Sequence, residues 1–445
     1  MTFSAGLSQD SFVSTSRRNN FFTQEIEEIP NTTKAVHKIN LPLSHHHQNH
    51  RQMQPTQPSF QQNRRKTLEY NNNNATKTFD NDLTSTITVK NNERHVLVTG
   101  GAGYIGSHTV VELLKDGYNV IVVDNLTNAC EESLVRIQKL SNRPLKFYHA
   151  NILDEKILTE IFEKYNIWGV LHFAALKAVG ESTKIPLEYY WNNVTGSLNL
   201  FRIMEKFDVY NIVFSSSATV YGDPDMIPVN EKSSLGPVIN PYGKTKLFIE
   251  ETLRDMCNAD NKWNAVILRY FNPTGAHPSG IIGENPRGVP NNLMPYVSQV
   301  VQGRLPFVNI YGDDYDTFDG TGVRDYIHVC DLATGHVAAL RKLKTKPGCV
   351  AYNLGTGVGY SVFQIIKAMS RACGKDIPYK IQQRRPGDVG IVTADASLAN
   401  IELDWYPKYN LDQMCQDLWR WTSINPMGYP ESIIEKKNKL QEKTS

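Results

Sequence analysis

The stretch His95–Gly117, HVLVTGGAGYIGSHTVVELLKDG, decides the fold. A short apolar run rich in valine passes directly into a glycine turn and then into an amphipathic helical pattern. Gly100, Gly103 and Gly106 stand three apart at that strand-to-helix turn. Glycines there permit a tight turn, a close approach of backbone to a pyrophosphate and close helix packing, while the helix N-terminus favours the phosphate charge. A glycine pattern alone is weak, and context strengthens it. The next strand, NVIVVD (119–124), ends in Asp124, about 18 residues beyond Gly106. A carboxylate at that point accepts from both hydroxyls of an adenosine ribose and repels a 2′-phosphate. Asn125 follows where an NADP enzyme often has a cation, so the expected cofactor is NAD.

Working outward, apolar runs alternate with helical patterns from Arg94 onward: HVLVT (95–99), NVIVVD (119–124), LKFYH (145–149), GVLHFA (169–174), NIVFSS (211–216) and NAVILRY (264–270). That alternation predicts an α/β fold, a Rossmann-type doubly wound parallel sheet covered on both faces. After Asn272 the chain becomes richer in Pro, Gly and Asn. The expected organisation is a NAD-binding domain over 94–272, a smaller C-terminal substrate-binding lobe over 273–430 and a C-terminal tail over 431–445. The segment 323–340, VRDYIHVCDLATGHVAAL, reads as a strand and helix returning to the first lobe. Residues 1–93 carry HHHQNH (45–50), QMQPTQPSFQQN (52–63) and NNNN (71–74), with too little apolar surface to offset the entropy of ordering, and are expected to be a disordered low-complexity tail.

Composition excludes several classes. The 445 residues are 40% hydrophobic and 10% aromatic, enough for a sizeable core, and the formal charge of +2 gives no footprint for nucleic acid. No run of about 18 apolar residues suggests a membrane span. The six cysteines lack C-x-x-C pairs, which argues against zinc or a disulfide framework and fits a reducing, cytoplasmic setting. The N-terminus lacks the basic start and apolar core of a secretory signal.

A second stretch, NPYGKTKLFIEE (240–251), carries the chemistry. Asn240 is a good helix cap and Pro241 suits the first helical position, so Tyr242 and Lys246 stack on one face at the start of a helix. Taken alone, a Tyr-x-x-x-Lys is more often a half-buried tyrosine with a snorkelling lysine. Beside a nicotinamide, however, a tyrosine can act as general base toward a sugar hydroxyl, and a nearby lysine cation favours the phenolate. Ser217, in FSSSATVYG (214–222), is the expected third partner, hydrogen-bonding the reacting oxygen.

With these motifs RYFNPTGAHPSG, PNNLMPY, GTGVRDYIH and RRPGDV occur in order over nearly all of 94–430, and together they resemble the extended short-chain dehydrogenases, within them the 4-epimerases that interconvert UDP-glucose and UDP-galactose. The resemblance implies tightly held NAD, oxidation at C4 to a keto sugar, turning of that sugar and re-reduction from its other face. It further implies a homodimer working in galactose metabolism in the cytosol. By the same resemblance Tyr242 is the base, Lys246 contacts the nicotinamide ribose and Ser217 the sugar hydroxyl. Tyr104, Ile105, Asp124, Asn125, Asn128, Asn151, Ile152, Phe173, Ala174, Lys177, Asn192 and Phe271 fall at NAD-contacting positions. Lys177, Ser217, Tyr242, Asn272, Asn292, Leu293, Asn309, Tyr311, Arg324, Arg385, Asp388 and Val392 fall at positions that hold the UDP-hexose. Two residues depart from the pattern. Asn151 stands where an aspartate usually meets adenine, which predicts weaker selectivity there without loss of binding. Val392 stands where bulk limits the group at C2 of the hexose, so UDP-GlcNAc and UDP-GalNAc are expected to enter as well.

Other readings remain at this point. A 4,6-dehydratase needs an acid and a base just before V-Y-G, where this chain has Ala218 and Thr219. An epimerase of another UDP-sugar, such as UDP-glucuronate or a UDP-pentose, differs only in pocket detail. A non-catalytic NAD-binding regulator would have no use for Ser217, Tyr242, Lys246 and both arginines. The tail over 1–93 could recruit partners of an active enzyme, and the chain's end near Ser445 is expected to leave no room for an appended mutarotase domain.

Overall fold

The computed structural model describes residues 91–385 and 387–430, which fall in one compact unit, Leu83–Ser445. The tail expected over 1–93, except its last three residues, and the one over 431–445 lie outside the described residues.

Seven parallel strands make the central sheet: β1 (Asn91–Thr99), β2 (Asn119–Asp124), β3 (Lys146–His149), β4 (Tyr165–His172), β5 (Asn211–Ser217), β6 (Asn264–Tyr270) and β7 (Cys349–Leu354), in spatial order β7-β6-β5-β4-β1-β2-β3. The runs expected from sequence supply the first six. Alternate residues of each strand enter opposite cores. On one face Val96, Val98, Val120 and Val122 pack with Val110 and Leu114 of helix α1 (Tyr104–Lys115), with α2 (Glu131–Ser141) alongside. On the other, Leu97, Ile121 and Val170 pack with residues of α3 (Glu155–Lys164), α4 (Gly196–Lys206) and α5 (Pro241–Ala259). Two-sided burial is why these runs are continuously apolar rather than alternating.

Strand order reverses between β1 and β4, which are neighbours although two strands separate them in sequence. Both chain exits open a crevice at that switch point, beyond the carboxyl ends of the strands.

The return to this sheet differs from the expectation for 323–340. Strand Val323–His328 joins a small separate sheet, pairing with Asn272–Thr274, Gly359–Ser361 and Ile391–Val392. Helix α7 (Val329–Lys342) then packs against α1, and β7 adds to the edge of the main sheet beside β6. A strand whose partner lies some eighty residues earlier carries no local sign of that pairing. A third core, with Met294, Val297, Ile365, Met369, Met414 and Trp421, joins α6 (Leu293–Val301), α8 (Val362–Cys373) and α9 (Leu411–Ile424). Among the described residues no helix is long and apolar enough to cross a membrane.

Candidate functional site

The glycine turn after β1 is forced tight. Gly100 takes φ of +71°, and a Cβ there would lie 2.7 Å from the Ala174 amide nitrogen at the end of β4. A Cβ on Gly106 would be driven into the Gly100 carbonyl oxygen and would stand 2.8 Å from Gly101 Cα. Helix α1 starts after Gly103 with no side-chain cap, so its first amides remain for an incoming anion. Asp124 ends β2 buried; its Oδ2 accepts from Ala102 N at 3.0 Å and its Oδ1 from Leu126 N at 2.9 Å. Burial raises its pKa while these two amides oppose the shift.

These elements wall a cavity of about 750 Å³, within the range of small-molecule sites. Gly100, Gly103, Tyr104, Ile105, Gly106, Asp124, Asn125, Asn128, Asn151, Ile152, Phe173, Ala174, Lys177, Asn192, Tyr242 and Lys246 all line it. Phe271 does not: its ring is buried among Val220, Tyr221, Val229 and Ala394. Asn151 spends one lone pair of its amide oxygen on Leu153 N at 3.0 Å, leaving one free. Lys177 reaches Glu284 Oε1 at 2.8 Å. The uncapped helix start, the glycines and an acceptor-only carboxylate at the end of β2 together suit a dinucleotide pyrophosphate and ribose.

At the inner end of the cavity α5 begins as its sequence dictates, with Asn240 Oδ1 accepting from Gly243 N at 2.8 Å and Pro241 in the first turn. Tyr242 is half-buried; Lys246, one turn on, is 4% exposed. Lys246 Nζ donates to the Ser215 carbonyl oxygen at 2.5 Å and lies 3.2 Å from Ser215 Oγ and 6.0 Å from the Tyr242 ring centre. Burial pushes Lys246 down to about 7, against the pull of Glu250. Burial pushes Tyr242 up to about 12, and a hydrogen bond with Ser217 works the other way. Since burial disfavours both charged forms, phenolate and ammonium favour each other: forming one stabilises the other. Ser217 closes β5, and its Oγ accepts from Thr219 N at 3.3 Å.

The residues expected to hold the nucleotide sugar gather beside the small sheet. Arg385 Nε donates to Asp388 Oδ2 at 2.7 Å, Arg324 Nη2 lies 4.0 Å from Asp388 Oδ1, and the Arg385 guanidinium sits 4.8 Å above the Tyr311 ring. Val392 pairs with Arg324 in the sheet. Asn309 Nδ2 donates to Tyr296 Oη at 3.2 Å, and Asn272 Nδ2 to the Asp325 carbonyl oxygen at 3.0 Å. Of the residues expected to hold the UDP-hexose, Lys177, Tyr242 and Asn292, which precedes Leu293 at the start of α6, line the cavity; Ser217, Leu293 and the rest lie outside its lining.

The cavity also includes Ser215, Ser216, Tyr270, Trp191, Glu284 and Tyr429, which sequence reasoning did not select. Ser215 and Ser216 precede the chosen serine, and the choice among three adjacent serines needed the strand's pleat. Tyr429 is more than three hundred residues from the glycine turn, with no local signal. Among the described residues no cluster of His, Cys, Asp and Glu could hold a metal ion.

A switch-point crevice with this turn, carboxylate and Tyr-Lys pair defines a Rossmann enzyme that works with a nicotinamide dinucleotide. The chain belongs to the NAD dependent epimerase/dehydratase family, whose model matches residues 96–355. It is 59% identical over 340 residues to the human UDP-glucose 4-epimerase, covering 75% of this chain and 98% of that protein. The Bacillus subtilis UDP-glucose 4-epimerase is 55% identical over 334 residues, covering 75% and 98%. Among solved structures, the Bifidobacterium longum UDP-glucose 4-epimerase in complex with NAD⁺ and UDP superposes with a TM-score of 0.73 at 52% identity, covering 75% of this chain and all of that one.

Proposed function

We propose that this chain interconverts UDP-glucose and UDP-galactose, with NAD as cofactor, by oxidation at C4, rotation of the 4-keto sugar and re-reduction from the other face. The observation that carries the reading is the pairing of Tyr242 and Lys246 on the wall of the dinucleotide cavity, with Ser217 hydrogen-bonded to Tyr242 just outside that lining. NAD, when bound, supplies the acceptor and then the donor of the C4 hydride. The turn at Gly100–Gly106 and the start of α1 hold its pyrophosphate, and Asp124 its adenosine ribose.

Tyr242 takes the proton from the C4 hydroxyl, and Lys246 lowers the energy of the resulting phenolate by its charge. Ser217 donates to the same oxygen pair and keeps the hydroxyl aligned. When the keto sugar has turned, Tyr242 returns its proton. Arg324 and Arg385 anchor the UDP diphosphate, so the sugar turns about a fixed nucleotide. Val392 leaves room beside C2, and this supports acceptance of UDP-GlcNAc.

Leu187 (81% exposed), Trp191 (59%), Leu198 (40%) and Phe248 (49%) are apolar and solvent-facing, with Tyr190 and Phe248 6.0 Å apart between ring centres. Such a patch supports a homodimer built on these helices. A cytosolic setting is the companion expectation, consistent with six cysteines that form no disulfide among the described residues.

The test is conversion of UDP-galactose by purified protein without added NAD, followed by UDP-glucose dehydrogenase coupling. Formation of UDP-glucose supports the reading. No product even with NAD supplied, alongside turnover of UDP-glucuronate or a UDP-pentose, would transfer the assignment to that sugar.

A further inference from the structure

Behind the cavity wall, packed on Phe173 at 4.7 Å between ring centres but outside the lining itself, lies His336 on α7, 1% exposed. Its Nδ1 is 2.8 Å from the Leu332 carbonyl oxygen, which only accepts, so Nδ1 carries the hydrogen. Burial holds the ring well below the ordinary histidine value, at about 4, so it is neutral and its Nε2 is a bare acceptor. The Tyr270 hydroxyl is hydrogen-bonded to that Nε2 and must therefore donate to it. Ser215 is the diagonal neighbour of Tyr270 on the adjacent strand, both side chains line the cavity, and the Ser215 hydroxyl pulls the Tyr270 pKa down as a donor does; with its own proton committed to His336, Tyr270 can only accept from Ser215. The Ser215 hydroxyl then has its proton directed away from Lys246, and it presents a lone pair to Nζ at 3.2 Å.

We propose that His336 is a positioning residue for catalysis: through Tyr270 and Ser215 it fixes the polarity of a buried hydrogen-bond chain so that Ser215 can only accept from Lys246. This rests on the role given above to Lys246. The chain begins on a helix that supplies no residue to the cavity lining and ends on the ammonium group. Without His336, Tyr270 is free to donate to Ser215, and Ser215 can turn its own hydrogen toward Nζ, which disfavours the charged lysine. Other groups facing Lys246 are Glu250 and Tyr242 from its own helix and His172 from β4. Glu250 is already neutralised by Arg269 and His172 is held between Thr99 and Ser197, so neither replaces the Ser215 contact.

The experiment uses the full chain with its NAD retained and measures kcat and KM for UDP-galactose from pH 6 to 10. His336→Leu is expected to lower kcat roughly tenfold with KM within about twofold, and to move the alkaline limb of kcat down by about one pH unit, as expected for one hydrogen bond to a charged group. His336→Gln, whose amide accepts from Tyr270 and donates to Leu332, is expected to restore most of both. Ser215→Ala should show the same defect, and the double variant His336→Leu with Ser215→Ala should be no worse than Ser215→Ala alone. If His336→Leu fails to fold, Tyr270→Phe takes its place in the cycle. An unshifted limb in His336→Leu, or losses that simply add, overturns the proposal. Lys246→Ala runs alongside: wild-type activity in that variant would overturn the role of Lys246 itself, a separate failure.

Discussion

Replacing Glu250 by glutamine tests how the catalytic helix is held to the sheet. Glu250 is fully buried, one turn beyond Lys246, and its carboxylate gathers four donors: Arg269 Nε at 3.1 Å and Nη2 at 2.7 Å, Arg254 Nη2 at 2.8 Å and Ser216 Oγ at 2.5 Å. Arg269 is itself only 1% exposed. The substitution keeps shape and removes charge, leaving a guanidinium uncompensated in the interior. Breaking a buried pair from one side costs about 3–5 kcal/mol. At roughly 2–4 °C per kcal/mol for domains somewhat smaller than this unit, the melting temperature should fall by at least about 5 °C. Arg254→Ala, which removes a partner that is 29% exposed, should cost no more than about 1 kcal/mol. Burial would raise the Glu250 pKa, but the Arg269 hydrogen bonds and charge hold it below the usual carboxylate value. Its contribution is therefore present above the unfolded value of about 4.3 and is lost as pH falls through the lower folded value, so the gap between wild type and variant should start to narrow below the unfolded value and close only below the folded one. The assay is thermal unfolding with NAD at one fixed saturating concentration. Equal losses for Glu250→Gln and Arg254→Ala at pH 7.5 would refute the reasoning.

Gly106→Ala should lose both stability and retained NAD, because its Cβ meets backbone of Gly100 and Gly101 that cannot rotate away; overpacking of this kind costs about 1–3 kcal/mol, and nucleotide released on denaturation reports occupancy. Asp124→Ala should lower NAD content and also loosen the turn, since Ala102 N and Leu126 N both lose their acceptor; unchanged content measured after gel filtration would count against its ribose role. Val392→Tyr should abolish turnover of UDP-GlcNAc while sparing that of UDP-galactose, and a wild-type rate for UDP-GlcNAc below one-thousandth of that for UDP-glucose would remove the reason for the prediction.

The main sheet and the dinucleotide turn are legible in the sequence because their signals are local. A strand buried on both faces must be apolar throughout, as in HVLVT and NVIVVD, and the approach of Gly106 to Gly100 leaves no room for any other residue. The Asn240–Pro241 start of α5 is equally local, and it places Tyr242 and Lys246 on one face. What sequence did not disclose depends on distant neighbours. β7 pairs with β6 across a long insertion, and CVAYNL reads the same whether it joins this sheet or the small one. Tyr270 and His336 meet only because α7 folds back against the first helix of the sheet. The polarity of Ser215 depends on them, so a buried hydrogen-bond chain of this kind is invisible to spacing. The Arg324, Arg385 and Asp388 group was found through motifs, and its convergence on one carboxylate appears only in three dimensions.

The central claim is that C4 is inverted by removal and return of its own hydrogen within the site, with Tyr242 handling only the hydroxyl proton. The most direct measurement converts UDP-galactose carrying deuterium at C4, in ordinary water, and reads the UDP-glucose product by mass spectrometry and NMR. The account predicts that deuterium is retained at C4 of the product, with Tyr242→Phe slowing conversion by about 10²–10⁴-fold. Loss of the label to solvent would show that C4 is deprotonated by a side chain, and would contradict the account.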